Sequence, residues 1–75
     1  MAAPAELIEF VAKAIVAQPE EVRVTAREDG QLLELETADD DRGRVIGRQG
    51  RVAKAMRALL GASRDGSNCR LDIVD

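Results

Sequence analysis

The chain has no His, no Trp and no Tyr, and only one Cys and one Phe among its 75 residues. Each absence excludes a class of chemistry. Without His, and with Cys69 as the lone thiol, no zinc finger, Cys–His pair, Ser–His–Asp triad or disulfide framework can be built. The remaining residues imply no cofactor, no metal site and no enzyme. No apolar run approaches the ~18 residues of a membrane span, and no charged-then-apolar leader precedes a cleavage site. The expectation is a cytoplasmic protein without membrane association, and a single unpaired Cys suits a reducing compartment. A chain this short allows one domain, which buries only about 60% of the surface its unfolded chain exposes, so self-association would help it.

What is present is an uneven charge distribution. The net charge of -3 argues against a general polyanion binder. Residues 42–57, however, carry Arg42, Arg44, Arg48, Arg51, Lys54 and Arg57 with no acid, a local +6, against -9 for the remainder. A basic island on an acidic body suits one surface that meets phosphate. Charge alone fits a solvated helical face equally well.

Periodicity divides the chain into six elements. Leu7, Ile8, Val11, Ala14 and Ile15 share one face of a helix over Glu6–Ala17, with Glu6, Glu9 and Lys13 opposite. Pro4 suits its first turn, and Pro19 biases Gln18 out of it. Val22, Val24 and Ala26 alternate with Arg23, Thr25 and Arg27 as a strand. Asp29-Gly30 is a tight-turn pair, and Leu33, Leu35 and Thr37 alternate beyond it to complete a hairpin. Asp39, Asp40 and Asp41 are read as caps at a helix N-terminus rather than metal ligands, since adjacent carboxylates diverge and no further ligands cluster with them.

A short helix over Asp41–Ile46 runs into Gly47-Arg48-Gln49-Gly50, and a second starts near Arg51 with Val52, Met56, Leu59 and Leu60 inward. Met56 is read as core filling. Gly61 and the Ser63–Asn68 stretch weaken and then stop this helix. Cys69, Leu71 and Ile73 then alternate as a closing strand, with Cys69 a small core hydrophobe. The order is α-β-β-α-α-β. The hairpin pairs strands one and two antiparallel, and the two helices supply the right-handed crossover that a parallel third strand requires. The fold class is therefore α+β, a three-stranded mixed sheet in the order one-two-three with the helices on one face.

The chemistry lies in the Gly-x-x-Gly turn. Glycine reaches backbone angles closed to other residues and lets another backbone approach closely. The free N–H groups of the following helix, beside Arg48 and Arg51, complete a cradle for a sugar-phosphate backbone. Two glycines between helices are common for steric reasons alone; here Val45-Ile46 precedes them, basic residues surround them and an amphipathic helix follows.

Val45-Ile46-Gly47-Arg48-Gln49-Gly50-Arg51 within an α-β-β-α-α-β chain resembles the KH domain in its type II arrangement. The resemblance is closer still to the small single-domain bacterial KH proteins called KhpA. The Gln18-Pro19-Glu20 helix exit, the Arg42-Gly43-Arg44-Val45-Ile46-Gly47 approach, the helix from Arg51 to Arg57 and the ending Leu71-Asp72-Ile73-Val74-Asp75 all look like that family. The likeness spans residues 1–75. The resemblance implies that the loop at 47–50 grips the backbone of single-stranded RNA while bases lie between the paired helices and an edge strand. Gly47, Arg48, Gln49 and Gly50 would be the clamp, and Arg44, Arg51 and Lys54 phosphate neighbours. Val45 or Ile46 would floor the groove or belong to the core. With Phe10 the only ring, aromatic stacking is not available to such a site.

The resemblance further implies an RNA chaperone or post-transcriptional regulator, homodimers, and a larger KhpB-like KH partner. In some bacteria that pair influences cell elongation, cell shape and cell wall synthesis. The broad apolar surface of the first helix, with Phe10 and Val16 at its flanks, fits a homodimer, although the other helices could cover those flanks within one chain. Two other classes remain. One is a helix-turn-helix DNA reader using Arg51–Leu60, which the acidic remainder and the Gly-x-x-Gly turn oppose. The other is a protein-interaction module with a vestigial loop, which would be expected to have lost a glycine or its charge.

Overall fold

Pro4 stands at the start of the first helix. In the computed structural model, which describes residues 3–63 and 66–74, α1 runs Pro4–Ile15. The proline occupies the first turn, where its missing N–H is no loss. Ile8 and Ala12, one turn apart, are fully buried, and Ala5, Val11 and Val16 pack partly against the same core. A Lys13–Glu9 ion pair braces the outer side. Periodicity alone carries this helix to Ala17, but the structure ends it at Ile15. The N–H groups of Ala17 and Gln18 turn instead to the Asp41 carboxylate, at 3.1 and 2.9 Å.

After a 3-10 turn at Pro19–Glu21, β1 (Arg23–Arg27) and β2 (Leu32–Glu36) form the antiparallel hairpin, with Val24 opposite Leu35 and Ala26 opposite Leu33. The connection is wider than a two-residue Asp29-Gly30 turn. Glu28, Asp29 and Gly30 all take positive φ, and the N–H groups of Gly30 and Gln31 bond the carbonyls of Arg27 and Glu28. Val22 is buried ahead of β1, and Thr37 lies beyond the end of β2.

β3 (Arg70–Ile73) runs parallel to β2, placing Leu71 beside Leu33 and Ile73 beside Leu35, so the sheet order is β1-β2-β3. The strand starts one residue later than the alternation suggests. Cys69 sits just before it, half-buried against the core, and its thiol donates to the Gly30 carbonyl at 3.1 Å. One sheet face, with Val24, Leu33, Leu35, Leu71 and Ile73, packs on the helices. The other carries Arg23, Arg27, Glu34, Glu36, Arg70 and Asp72, tied by Arg27–Glu34 and Arg70–Glu28 ion pairs. The hydrogen bond to Glu34, and then that carboxylate's charge, hold the Arg27 guanidinium above its ordinary pKa.

α2 (Arg42–Ile46) and α3 (Arg51–Ala62) complete the order α-β-β-α-α-β, an α+β fold with a mixed sheet. α3 turns Ala53, Met56 and Leu60 inward, with Met56 fully buried and Val52 half-buried, but Leu59, expected inward, is 45% exposed. It passes through Gly61, which is exposed, and ends where the Ser63 hydroxyl donates to the Leu60 carbonyl and accepts from the Gly66 N–H. Positions 64 and 65 of the expected Ser63–Asn68 connection lie outside the described residues. The core joins Ile8, Ala12, Val22, Leu33, Leu35, Val45, Met56, Leu60 and Leu71. Each large aliphatic member contributes ~1.5–3 kcal/mol on burial. Among the described residues no helix is long and apolar enough to cross a membrane.

Candidate nucleic-acid interface

The basic island folds as α2, a four-residue turn and the first half of α3. α2 buries Val45 completely and leaves Ile46 38% exposed. Of the two apolar residues before the loop, Val45 therefore belongs to the core and Ile46 faces outward. The Gly47 N–H closes α2 on the Gly43 carbonyl at 2.8 Å, and the Gly50 N–H bonds the Gly47 carbonyl at 3.0 Å, shaping 48–50 into a 3-10 turn.

The two glycines are required for different reasons. Gly47 sits at φ +78° and ψ 169°, a conformation essentially confined to glycine. A Cβ there would fall 2.5 Å from Val52 Cγ2 and 2.8 Å from the Val52 backbone nitrogen. Gly50 is left-handed at φ +73° and ψ 16°, but a Cβ on it would meet nothing within 4 Å. Gly47 lets the loop close onto α3, whereas Gly50 leaves the space above the start of α3 open. Gln49 between them is also left-handed, at φ 57°.

Arg48 and Gln49 are exposed at the tip, and Arg44, Arg51 and Lys54 are exposed around it. Among the described residues no carboxylate lies in ion-pair range of Arg48, Arg51 or Lys54. Arg51 Nη2 reaches Gln49 Oε1 at 3.5 Å, the long limit of a hydrogen bond. Gly50 caps α3 with no side-chain bond, so its first-turn N–H groups add partial positive charge to the same spot. The loop thus concentrates unneutralised charge on an acidic chain.

The three aspartates before α2 do not cap it. Asp39–Asp41 form a 3-10 turn, and no side chain there or at the N-cap of α2 makes a capping bond. Asp39 pairs instead with Arg42 at 2.9 Å. Asp41 is 1% exposed and turns inward, accepting the Ala17 and Gln18 N–H groups and lying 3.2 Å from Arg44 Nε. A buried carboxylate needs such partners to offset its lost hydration, and the main-chain donors come from the exit of α1. Arg44 is consequently tethered on one side while most of its side chain stays exposed. Among the described residues no group of three or more His, Cys, Asp or Glu could hold a metal.

In the sequence Arg57 stands as one charge of the island and as the end of the family-like helix segment from Arg51, with no contact of its own implied. In the structure its Nε and Nη2 donate to the Leu71 carbonyl at 3.3 and 3.1 Å, joining α3 to the edge strand β3. Arg70 and Val74 send their N–H groups toward β2, to the carbonyls of Gln31 and Leu35, so by alternation Leu71 and Ile73 present theirs to the open edge. The only available signal was the position of Arg57 beside Met56 on the flank of the inward stripe of α3. A depression of about 320 Å³ lined by Leu32, Arg70, Leu71 and Asp72 includes none of the loop residues.

Comparison with known proteins fits this geometry. A family model described as KhpA/KhpB, KH domain, matches residues 5–73. The RNA-binding protein KhpA of Leifsonia xyli subsp. xyli is 48% identical over 77 aligned positions, covering 100% of this chain and 99% of its own. Those of Treponema pallidum (46% identical; 93% of this chain, 92% of its own) and Streptomyces coelicolor (43%; 93% and 90%) are similar throughout. No solved structure gives a significant match.

Proposed function

The chain belongs to the KhpA/KhpB KH-domain family, and on that premise we propose that residues 1–75 form one KH domain that binds single-stranded RNA through the loop at 47–50. The observation that carries this reading is the exposed Arg48-Gln49 tip beside Arg51 and Lys54, three cations with no acidic partner among the described residues, on a chain whose net charge is negative. Gly47, Arg48, Gln49 and Gly50 clamp the sugar-phosphate backbone, with Arg44, Arg51 and Lys54 as phosphate neighbours. Ile46, half-exposed beside the loop, offers apolar surface to a base. Neutralising ~3–4 phosphates makes log K fall against log salt with a slope near -2 to -3 on single strands. The role is binding without catalysis: an RNA chaperone or post-transcriptional regulator acting in the cytoplasm with a KhpB-like partner.

A second copy is part of the proposal. Phe10 is 74% exposed and Ile15 38%, on a helix that uses Ile8 and Ala12 for its own core. Among the described residues nothing in the same chain covers the Phe10 ring on the outer side of α1, which supports a homodimer through that helix. Two linked clamps raise the effective affinity for a longer strand.

The test is the double substitution Arg48→Asp and Gln49→Asp. Both positions are exposed, so thermal unfolding should stay close to wild type while RNA affinity collapses under like-charge repulsion at short range. Undiminished binding by the folded double variant would remove the loop from the site. Competition by duplex DNA better than by single-stranded RNA would favour a helix-turn-helix mode instead.

A further inference from the structure

We propose that Arg57 is a base-reading residue that selects nucleotides presenting two adjacent acceptors, cytosine and guanine, over adenine and uracil. The inference rests on the RNA-binding reading above and names what that site prefers. Arg57 lies six residues beyond Arg51 on α3, about 9 Å along the helix from the loop, so a strand held by the clamp passes within reach. Its Nε and Nη2 are engaged by the Leu71 carbonyl at 3.3 and 3.1 Å, and it has no carboxylate partner among the described residues. That contact consumes one side of the guanidinium. The other side, with parallel N–H donors on Nη1 and Nη2, carries no bond among the described residues, and the side chain is exposed.

A planar fork whose orientation is fixed at one edge is pre-organised for a bidentate acceptor at the other. Cytosine presents O2 and N3 side by side on its pairing edge, and guanine presents O6 and N7 on its Hoogsteen edge. Adenine sets a donor beside its acceptor on both edges, and uracil separates its two oxygens by an N–H. Neither matches two parallel donors. The open N–H and C=O groups of Ile73 on the same strand edge leave room for the base's remaining polar atoms. The alternative is that Arg57 merely ties α3 to β3.

The two roles separate under Arg57→Lys, which keeps the charge and can still reach the Leu71 carbonyl but lacks the fork. Binding of the full chain to RNA octamers of C, of alternating A and G, of A, and of U would be measured by fluorescence anisotropy at fixed salt. Wild type should favour the first two by about tenfold, the value of one good bidentate base contact. Arg57→Lys should lose that preference while holding its affinity for the A and U octamers. A preference that persists in Arg57→Lys overturns the assignment, as does equal wild-type binding to all four octamers, which leaves RNA binding itself intact. Absence of binding to every octamer overturns the RNA-binding reading and this inference with it.

Discussion

The unequal surroundings of Gly47 and Gly50 make the sharpest prediction. In Gly47→Ala the new methyl enters a backbone region essentially reserved for glycine, costing ~1–3 kcal/mol. It also lies 2.5 Å from Val52 Cγ2 and 2.8 Å from the Val52 nitrogen. The side chain can move at a price, but the nitrogen belongs to the first turn of α3, and such overpacking adds ~1–3 kcal/mol. A chain of this length has a total stability of about 4–11 kcal/mol, so Gly47→Ala should remove a large share of it. Gly50→Ala meets open space and carries only the left-handed penalty of ~1–2 kcal/mol, a fall in Tm of about 5–15 °C.

Circular dichroism melts of both variants, with RNA binding measured well below each Tm, would separate the effects. Gly47→Ala should show the larger loss of stability, its melt falling well below that of Gly50→Ala. Gly50→Ala should fold but bind poorly, because its methyl occupies the opening over α3 where a strand backbone would approach. Val52→Ala in the Gly47→Ala background should recover only part of the loss, since the nitrogen contact persists. Equal melting of the two single variants would refute the reasoning from close approach.

Two further outcomes follow from other parts of the fold. Asp41→Ala leaves the Ala17 and Gln18 N–H groups without their acceptor and should cost about 3 kcal/mol, seen as a lower urea midpoint with an unchanged slope; a loss below 0.5 kcal/mol would show that water replaces the carboxylate. Sedimentation equilibrium at micromolar concentration should give a homodimer that Phe10→Glu disrupts without lowering monomer stability, because Phe10 is 74% exposed. A monomer at high micromolar wild-type protein would refute the dimer, and a dimer indifferent to Phe10→Glu would place the interface elsewhere.

Much of this molecule is legible in its sequence alone. Apolar alternation in Val24, Leu33, Leu35, Leu71 and Ile73 assigned one sheet face to the core, and the sheet has that face. The helical spacing of Val52, Met56, Leu59 and Leu60 placed α3, although Leu59 faces outward in the fold, and the crossover length placed β3 parallel to β2. These features depend on periodicity and connection length, which are local properties of the chain. The loop at 47–50 and its basic neighbours were equally visible, since glycine and charge act where they stand.

What the tertiary structure decided depends on partners distant in sequence. Asp41 reads locally as a helix cap, yet its carboxylate serves Gln18, 23 positions away, because packing α1 beside α2 brings the unfinished end of one helix to the start of the other. That same contact ends α1 two residues before its apolar pattern does. Arg57 reads as one charge among six, yet its bond to the Leu71 carbonyl, 14 positions on, exists only because α3 lies against an edge strand with unpaired backbone groups. Gly47 and Gly50 are identical letters in one motif, and only the folded chain places Val52 against the first and open space beside the second. Local pattern determines which elements form; the unsatisfied polar groups and close contacts between elements are settled only when those elements meet.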